Sequence, residues 1–159
     1  MAGLALRAAE PADIAFIRAL EQRDDYAAFI FRWSQAEHEA VLAAPDKRTL
    51  IGDDEAGAPV GFAILRNFGG NSVPYLVRMA VARPGEGLGR ALLTQVCDWV
   101  FAQSAAPRLE LDVFEDNVRA QALYRRLGFI GDRVSEEPVG RPSGQPARLI
   151  YMSRARDGG

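Results

Sequence analysis

The sequence predicts an α/β fold: a mixed central sheet with helices on both faces, in the order β-α-α-β-β-β-α-β-α-β. Three observations predict it. Strand-like and helix-like hydrophobic patterns alternate along the 159 residues. The stretches 48–54 and 59–68 are joined by a short turn, so they form an antiparallel hairpin. The segment 73–115 runs strand, loop, helix, strand, which closes as a right-handed parallel crossover. Parallel and antiparallel pairs therefore share one sheet.

The elements follow in order. "LALRAA" (4–9) reads as the first strand. "EPADIAFIRALEQR" (10–23) is a helix with proline in its first turn and Ile14, Ile17 and Leu20 at helical spacing. "DDYAAFIFRW" (24–33) is aromatic and irregular. Ser34 and Glu37 form a capping box that opens a second helix over 34–44. The hairpin follows, and "GGNS" (69–72) turns the chain into a strand over 73–81. Beyond a glycine loop, Leu88, Leu92, Val96, Trp99 and Val100 mark one face of a helix ending near Ser104. "RLELDVFE" (108–115) alternates as a strand, and "NVRAQALYRRLGF" (117–129) is a helix closed by Gly128. A Pro/Gly-rich loop at 138–146 leads to a last strand over 145–154, and the tail "RARDGG" is expected to fray. The pattern implies one domain over residues 1–159.

Composition narrows the function. Nineteen basic residues against 21 acidic ones give a formal charge of −2, so no global basic field points to nucleic acid. One cysteine, Cys97, rules out an internal disulfide framework and a four-cysteine zinc site; inside a helix it reads as packing. One histidine, His38, leaves no multi-histidine metal site, so no metal is expected. No apolar run approaches a membrane span, and "MAGLAL" is too short for a signal core, so the expected setting is cytoplasmic, with no membrane partner.

The stretch "RPGEGLGRALL" (83–93) carries Gly85, Gly87 and Gly89 in five positions. Either the backbone turns tightly there or a ligand approaches it closely. A P-loop needs Lys–Ser/Thr where this chain has Arg90 and Ala91. A dinucleotide fingerprint fails too, because the third glycine position falls on Arg90 or Leu92, although Glu110 and Asp112 lie about where a ribose-binding acid would. Two readings stay open: a bare strand-to-helix turn, or helix-start amides facing a diphosphate.

A second segment, "LELDVFEDNVRAQALYRRLGF" (109–129), puts Ala120, Leu123, Tyr124 and Leu127 on one helix face behind Asn117. Here the chain resembles the GCN5-related N-acetyltransferase (GNAT) superfamily. Its loop motif is matched by Pro84–Gly85–Glu86–Gly87–Leu88–Gly89, and its later motif by Leu111, Val113, Asn117, Ala120, Leu123, Tyr124, Gly128 and Phe129. The likeness is closest to the branch acting on protein N-termini, polyamines and related amines.

The resemblance implies transfer of acetyl from acetyl-CoA to a primary amine, by direct attack on the thioester. It implies a sheet splayed around a CoA cleft between the strand at 73–81 and the strand at 108–115. Met79, Ala80 and Val81 would meet the pantetheine arm, with an amide near Ala80 holding the oxyanion. The amides of Glu86, Gly87, Leu88, Gly89 and Arg90 would take the diphosphate. Asn117 would bond the arm or cap its helix. Tyr124 would be the catalytic group at the departing sulfur. A phenol near 10 facing a thiol near 8.5 gives up its proton uphill by roughly 2 kcal/mol, so a hydrogen bond is the expected form of help.

The chain departs from the family pattern at two places. Pro84 occupies the usual Arg/Gln slot, with Arg83 one position earlier as a substitute, and the approach is about two residues short. Glu86 adds a negative charge inside the loop. No carboxylate lies on the strand at 73–81, which leaves Glu21, Asp24, Glu37, His38, Glu115 or a water relay as base. The aromatics Tyr26, Phe29, Phe31 and Trp33 lie where the family places its acceptor wall. The family also admits a homodimer. The alternatives are a non-catalytic acyl-CoA-binding module and a nucleotide-binding Rossmann-like protein.

Overall fold

The computed structural model describes residues 3–157. Seven strands and four helices follow in chain order: β1 (Ala5–Ala8), α1 (Ile14–Glu21), α2 (Gln35–Ala43), β2 (Arg48–Asp53), β3 (Pro59–Arg66), β4 (Tyr75–Val81), α3 (Leu88–Gln103), β5 (Arg108–Phe114), α4 (Val118–Arg126), β6 (Ile130–Val134) and β7 (Leu149–Ala155). They build one mixed sheet in the order β1-β2-β3-β4-β5-β7-β6. Only β4 and β5 pair in parallel, as the crossover through α3 requires. None of the described helices is long and apolar enough to cross a membrane.

Period-two alternation divides the core between the two faces. Leu50, Ala63 and Leu65 point to the layer of α3 and α4, against Leu92, Leu93, Val96 and Leu123. Ile51, Phe62 and Ile64 point to the other layer, against Ile17, Leu20 and Val41 of α1 and α2. Ser34 caps α2 as its motif predicts: Glu37 N–H donates to Ser34 Oγ at 3.1 Å, and Ser34 N–H donates to Glu37 Oε1 at 3.0 Å.

Three expectations need correction. The sheet has a seventh strand, β6, which all-exposed residues conceal because they leave no alternating pattern. The first helix starts later, after a 3₁₀ turn over Pro11–Asp13. The tail is anchored as far as Arg156: its guanidinium donates to the carbonyls of Phe101, Ser104 and Ala106, satisfying groups left open in the last turn of α3 and just after it. Cys97 is fully buried in the core, as its helical position predicts.

The feature that shapes the site is where β4 leaves β5. They pair only at Tyr75–Glu110 and Leu76–Leu111. On its other side β4 pairs with β3, Leu65 facing Leu76 and Ile64 facing Arg78, so Val77 is an extra residue, a β-bulge. A bulge bends its strand and sharpens the local twist. Immediately past Leu76 the strands separate, and a gap opens between Val77–Val81 and Asp112–Phe114.

Candidate active site

The glycine loop enters α3 beside this gap. Gly85 and Gly87 have φ of 89° and 82°, which other residues adopt only under strain. The first backbone bond of the helix runs from Ala91 N–H to the Gly87 carbonyl at 3.1 Å. The amides of residues 86–90 have no acceptor among the described residues, so donors and the positive helix end share one point. Nη2 of Arg119, from α4, comes within 3.1 Å of where a Cβ at Gly85 would sit. Arg83 and Glu86 face each other instead: Nε donates to Oε1 at 3.1 Å on the exposed side of the loop.

Ladder geometry sorts the three β4 residues. Ala82 N–H donates to the Val60 carbonyl, so Ala82 and Ala80 turn their backbone groups toward β3. Met79 and Val81 turn theirs toward the gap, where the Tyr26 hydroxyl accepts from Val81 N–H at 3.0 Å and donates to its carbonyl at 2.7 Å. Of the amides near Ala80, where an oxyanion site is expected, that of Ala80 itself is turned into the β3 ladder, and those of Met79 and Val81 face the gap.

Across the gap, Asn117 caps α4, its Oδ1 accepting from Ala120 N–H at 3.3 Å. Gln121 ties the β5–α4 turn by donating to the carbonyls of Phe114 and Glu115 at 3.1 and 2.8 Å. Tyr124 packs partly buried on the core, its ring 5.9 Å from Phe129. Burial first, and the charge of Asp112 second, push its phenol up to about 12. It is therefore a hydroxyl that keeps its proton at any physiological pH.

Next to the seam lies a cleft of about 610 Å³, lined by Phe31 and Trp33 before α2, Arg66 at the end of β3, Tyr75 and Arg78 of β4, Asp112 of β5, and Arg141 of the loop before β7. Tyr75 donates its hydroxyl to Oδ2 of Asp112. Burial pushes both groups up, the Tyr75 phenol further so because it donates a hydrogen bond to Asp112. Arg66 lies over the Tyr75 ring at 4.2 Å. Beneath the cleft, Glu21 is fully buried; Arg78 donates to one oxygen, and His38 Nε2 meets the other at 2.7 Å.

The Acetyltransferase (GNAT) family model matches residues 14–129. The chain belongs to the GNAT family. This GNAT chain is 36% identical over 80 residues to a mycothiol acetyltransferase of Clavibacter sepedonicus, covering 50% of the chain and 26% of that protein. To a mycothiol acetyltransferase of Kineococcus radiotolerans it is 35% identical over 100 residues, covering 62% and 32%. The chain spans about a third or less of the length of these curated relatives. Among solved structures, the spermidine N-acetyltransferase of Vibrio cholerae in complex with CoA and spermine superposes with a TM-score of 0.85 at 21% identity, covering 98% of this chain and 96% of that one. A phosphinothricin N-acetyltransferase, so named as a putative enzyme, superposes at 0.80 with 17% identity and covers 98% and 99%. These likenesses carry the GNAT fold.

Within this GNAT frame the base candidates separate. Glu21 and His38 are buried and engaged with each other, so neither reaches the cleft surface. His38 is 1% exposed, its ring held inside by Glu21. Glu37 is occupied in the α2 cap, and Asp24 and Glu115 are exposed away from the cleft lining. Of the aromatic run, Phe31 and Trp33 line the cleft, Phe29 lies under Arg141, and Tyr26 holds Val81. Sequence reading missed Asp112 as a cleft carboxylate and Arg119 as a loop cation. The one signal for Asp112 was its inward-or-outward alternation on β5 opposite a tyrosine-bearing strand.

Proposed function

We propose that the chain transfers an acetyl group from acetyl-CoA to an amine. The observation that supports this most is the opening of the sheet past Leu76 and Leu111, beside a glycine loop whose amides lack acceptors. That donor set suits a diphosphate: five amides at a helix start, two glycines with no Cβ in the way, and the Arg119 guanidinium beside them. Met79 and Val81 offer backbone groups of the kind a pantetheine arm pairs with, once Tyr26 releases Val81. The relatives' names agree on acetyl transfer and differ in the acceptor.

Acetyl-CoA supplies an acyl group activated as a thioester. This chain's residues do the rest. Asp112, whose proton affinity burial raises, takes the proton from the incoming ammonium and leaves a nucleophilic amine. Tyr75 fixes the orientation of that carboxylate. Tyr124 donates a hydrogen bond to the departing sulfur. With the phenol near 12 and a thiol near 8.5, full transfer of its proton costs on the order of 5 kcal/mol, so it stabilises charge and keeps its hydrogen. The test is release of free thiol from acetyl-CoA over a panel of amines. CoA binding without turnover on any amine makes the chain a binding module instead.

A further inference from the structure

The lining of the cleft is unusual for a site that would receive only an amine. Four arginines face it, Arg32, Arg66, Arg78 and Arg141, with one carboxylate, Asp112. Two of the four are spent. Arg78 is paired with buried Glu21, and Arg141 holds Asp116 with two bonds of 2.8 and 2.7 Å. The other two have no carboxylate partner among the described residues. Arg32 donates only to the backbone carbonyls of Glu21 and Gln22. Arg66, exposed at the end of β3, sits over the Tyr75 ring, its nitrogens without a protein acceptor among the described residues.

A polycation would meet repulsion here. Each ammonium beyond the first would face guanidinium, because Asp112 is the single carboxylate of the lining. A molecule with an amine at one end and an anion at the other matches the cleft. Tyr75 fixes the spacing: its hydroxyl is on Asp112 and its ring face carries Arg66. An amine at Asp112 and an anion at Arg66 are therefore separated by about the width of one ring. Planar guanidinium grips carboxylate and phosphoryl oxygens through paired N–H donors. Phe31, Trp33 and Leu149 offer apolar wall for the remainder of the molecule.

Resting on the acetyl-transfer reading, we propose that the acceptor is a small amine that also carries an anionic group, a carboxylate or a phosphoryl group, held by Arg66. Arg66 then sets specificity, and Asp112 serves the amine.

The experiment compares matched acceptors on the full chain with acetyl-CoA: α-amino acids, their carboxamides, aminoalkylphosphonates and spermidine. CoA affinity is measured calorimetrically in parallel. The expected result is kcat/KM at least about tenfold higher for the acids or the phosphonates than for the matched carboxamides, with spermidine poorest. Whichever anion leads identifies the source. Arg66→Gln should collapse that ratio toward one with CoA affinity unchanged, and Arg66→Lys should restore it in part. A preference for spermidine or the carboxamides, or an Arg66→Gln ratio equal to the parent's, overturns the proposal. If CoA binds but no amine turns over, the same ranking is read from amine binding to the CoA complex, and no preference for anionic amines overturns it equally. Failure to bind CoA at all removes the acetyl-transfer reading beneath it.

Discussion

The Tyr75 hydroxyl donates to Asp112 Oδ2 across the last paired rung between β4 and β5, just where the two strands part. One hydrogen bond thus ties the seam of the sheet to the carboxylate of the cleft. Burial raises the proton affinity of Asp112, the Tyr75 bond and the Arg66 charge offsetting part of it.

Asp112→Asn tests the carboxylate, since asparagine keeps the shape and still accepts from Tyr75. As a general base it contributes on the order of 10²–10⁴ in kcat, and that is the expected loss. The parent's kcat/KM should rise with pH as Asp112 ionises, with its limb above the ordinary aspartate value of about 3.9, and the variant should lack that limb. Stability moves the opposite way. A carboxyl with a raised folded pKa favours the fold below its unfolded pKa, and that advantage is lost as pH rises through the folded value. Thermal melts should therefore show the variant gaining on the parent as pH rises above about 3.9 and through the raised folded value of Asp112. A flat difference rules out a strained ionised Asp112.

Tyr124→Phe removes the hydroxyl and leaves the ring packed on Phe129. Because the bond to sulfur strengthens as charge develops, kcat should fall about 10- to 100-fold with the KM for acetyl-CoA changed less than about threefold. An unchanged kcat takes Tyr124 out of the chemistry.

The glycine loop and the capping box were legible because their physics is local. Positive φ needs glycine at Gly85 and Gly87, and Ser34 meets Glu37 three residues on. The helix faces were legible because burial is periodic. β6 was not, because exposed residues carry no period. The cleft was hidden for a different reason. Arg66, Asp112 and Arg141 come from three elements brought together only by sheet order, and the Val77 bulge that opens the gap shows in register alone. Glu21 and His38 illustrate the same limit: both read as candidate bases until they are seen buried and bonded to each other at 2.7 Å.

Arg7 locks the first strand to the start of the first helix. It donates to Asp13 at 2.8 and 2.9 Å and to Asp53 at 2.7 Å. The Arg7 bonds hold the Asp13 carboxyl below the ordinary carboxylate range. A depressed folded pKa gives stability that is present above about 3.9 and lost as pH falls through the folded value. Asp13→Asn should cost about 1 kcal/mol at pH 7, since Arg7 is partly exposed and solvent screens the pair. Denaturant midpoints should converge for parent and variant as pH falls below about 3.9 and through the lowered folded value of Asp13. A gap that persists in acid assigns the loss to packing.

Tyr26 sits on the backbone edge that CoA would use. Its hydroxyl both accepts from and donates to Val81. Displacing it costs about 1 kcal/mol, so Tyr26→Phe should tighten CoA binding by up to about fivefold. Weaker binding in calorimetry would place the hydroxyl among the ligand's own contacts.

The two cations near the loop are not equivalent. Arg119 Nη2 approaches Gly85 from α4 without a carboxylate partner among the described residues, whereas Arg83 is spent on Glu86 at the exposed rim. A charge-assisted bond to phosphate is worth roughly 1.5–3 kcal/mol, so Arg119→Ala should weaken CoA binding about 10- to 100-fold. Arg83→Ala removes a screened surface pair and uncovers Glu86, so a loss of about threefold or less is expected. Adding Glu86→Ala to Arg83→Ala should recover that loss, because the repelling charge goes with it. The three variants, titrated with CoA at low and high salt, separate the roles: the Arg119 effect should shrink with salt and dominate at every concentration. A larger loss at Arg83 would return the phosphate contact to the position one residue before Pro84, and would mean that the Arg83–Glu86 pair opens when CoA arrives.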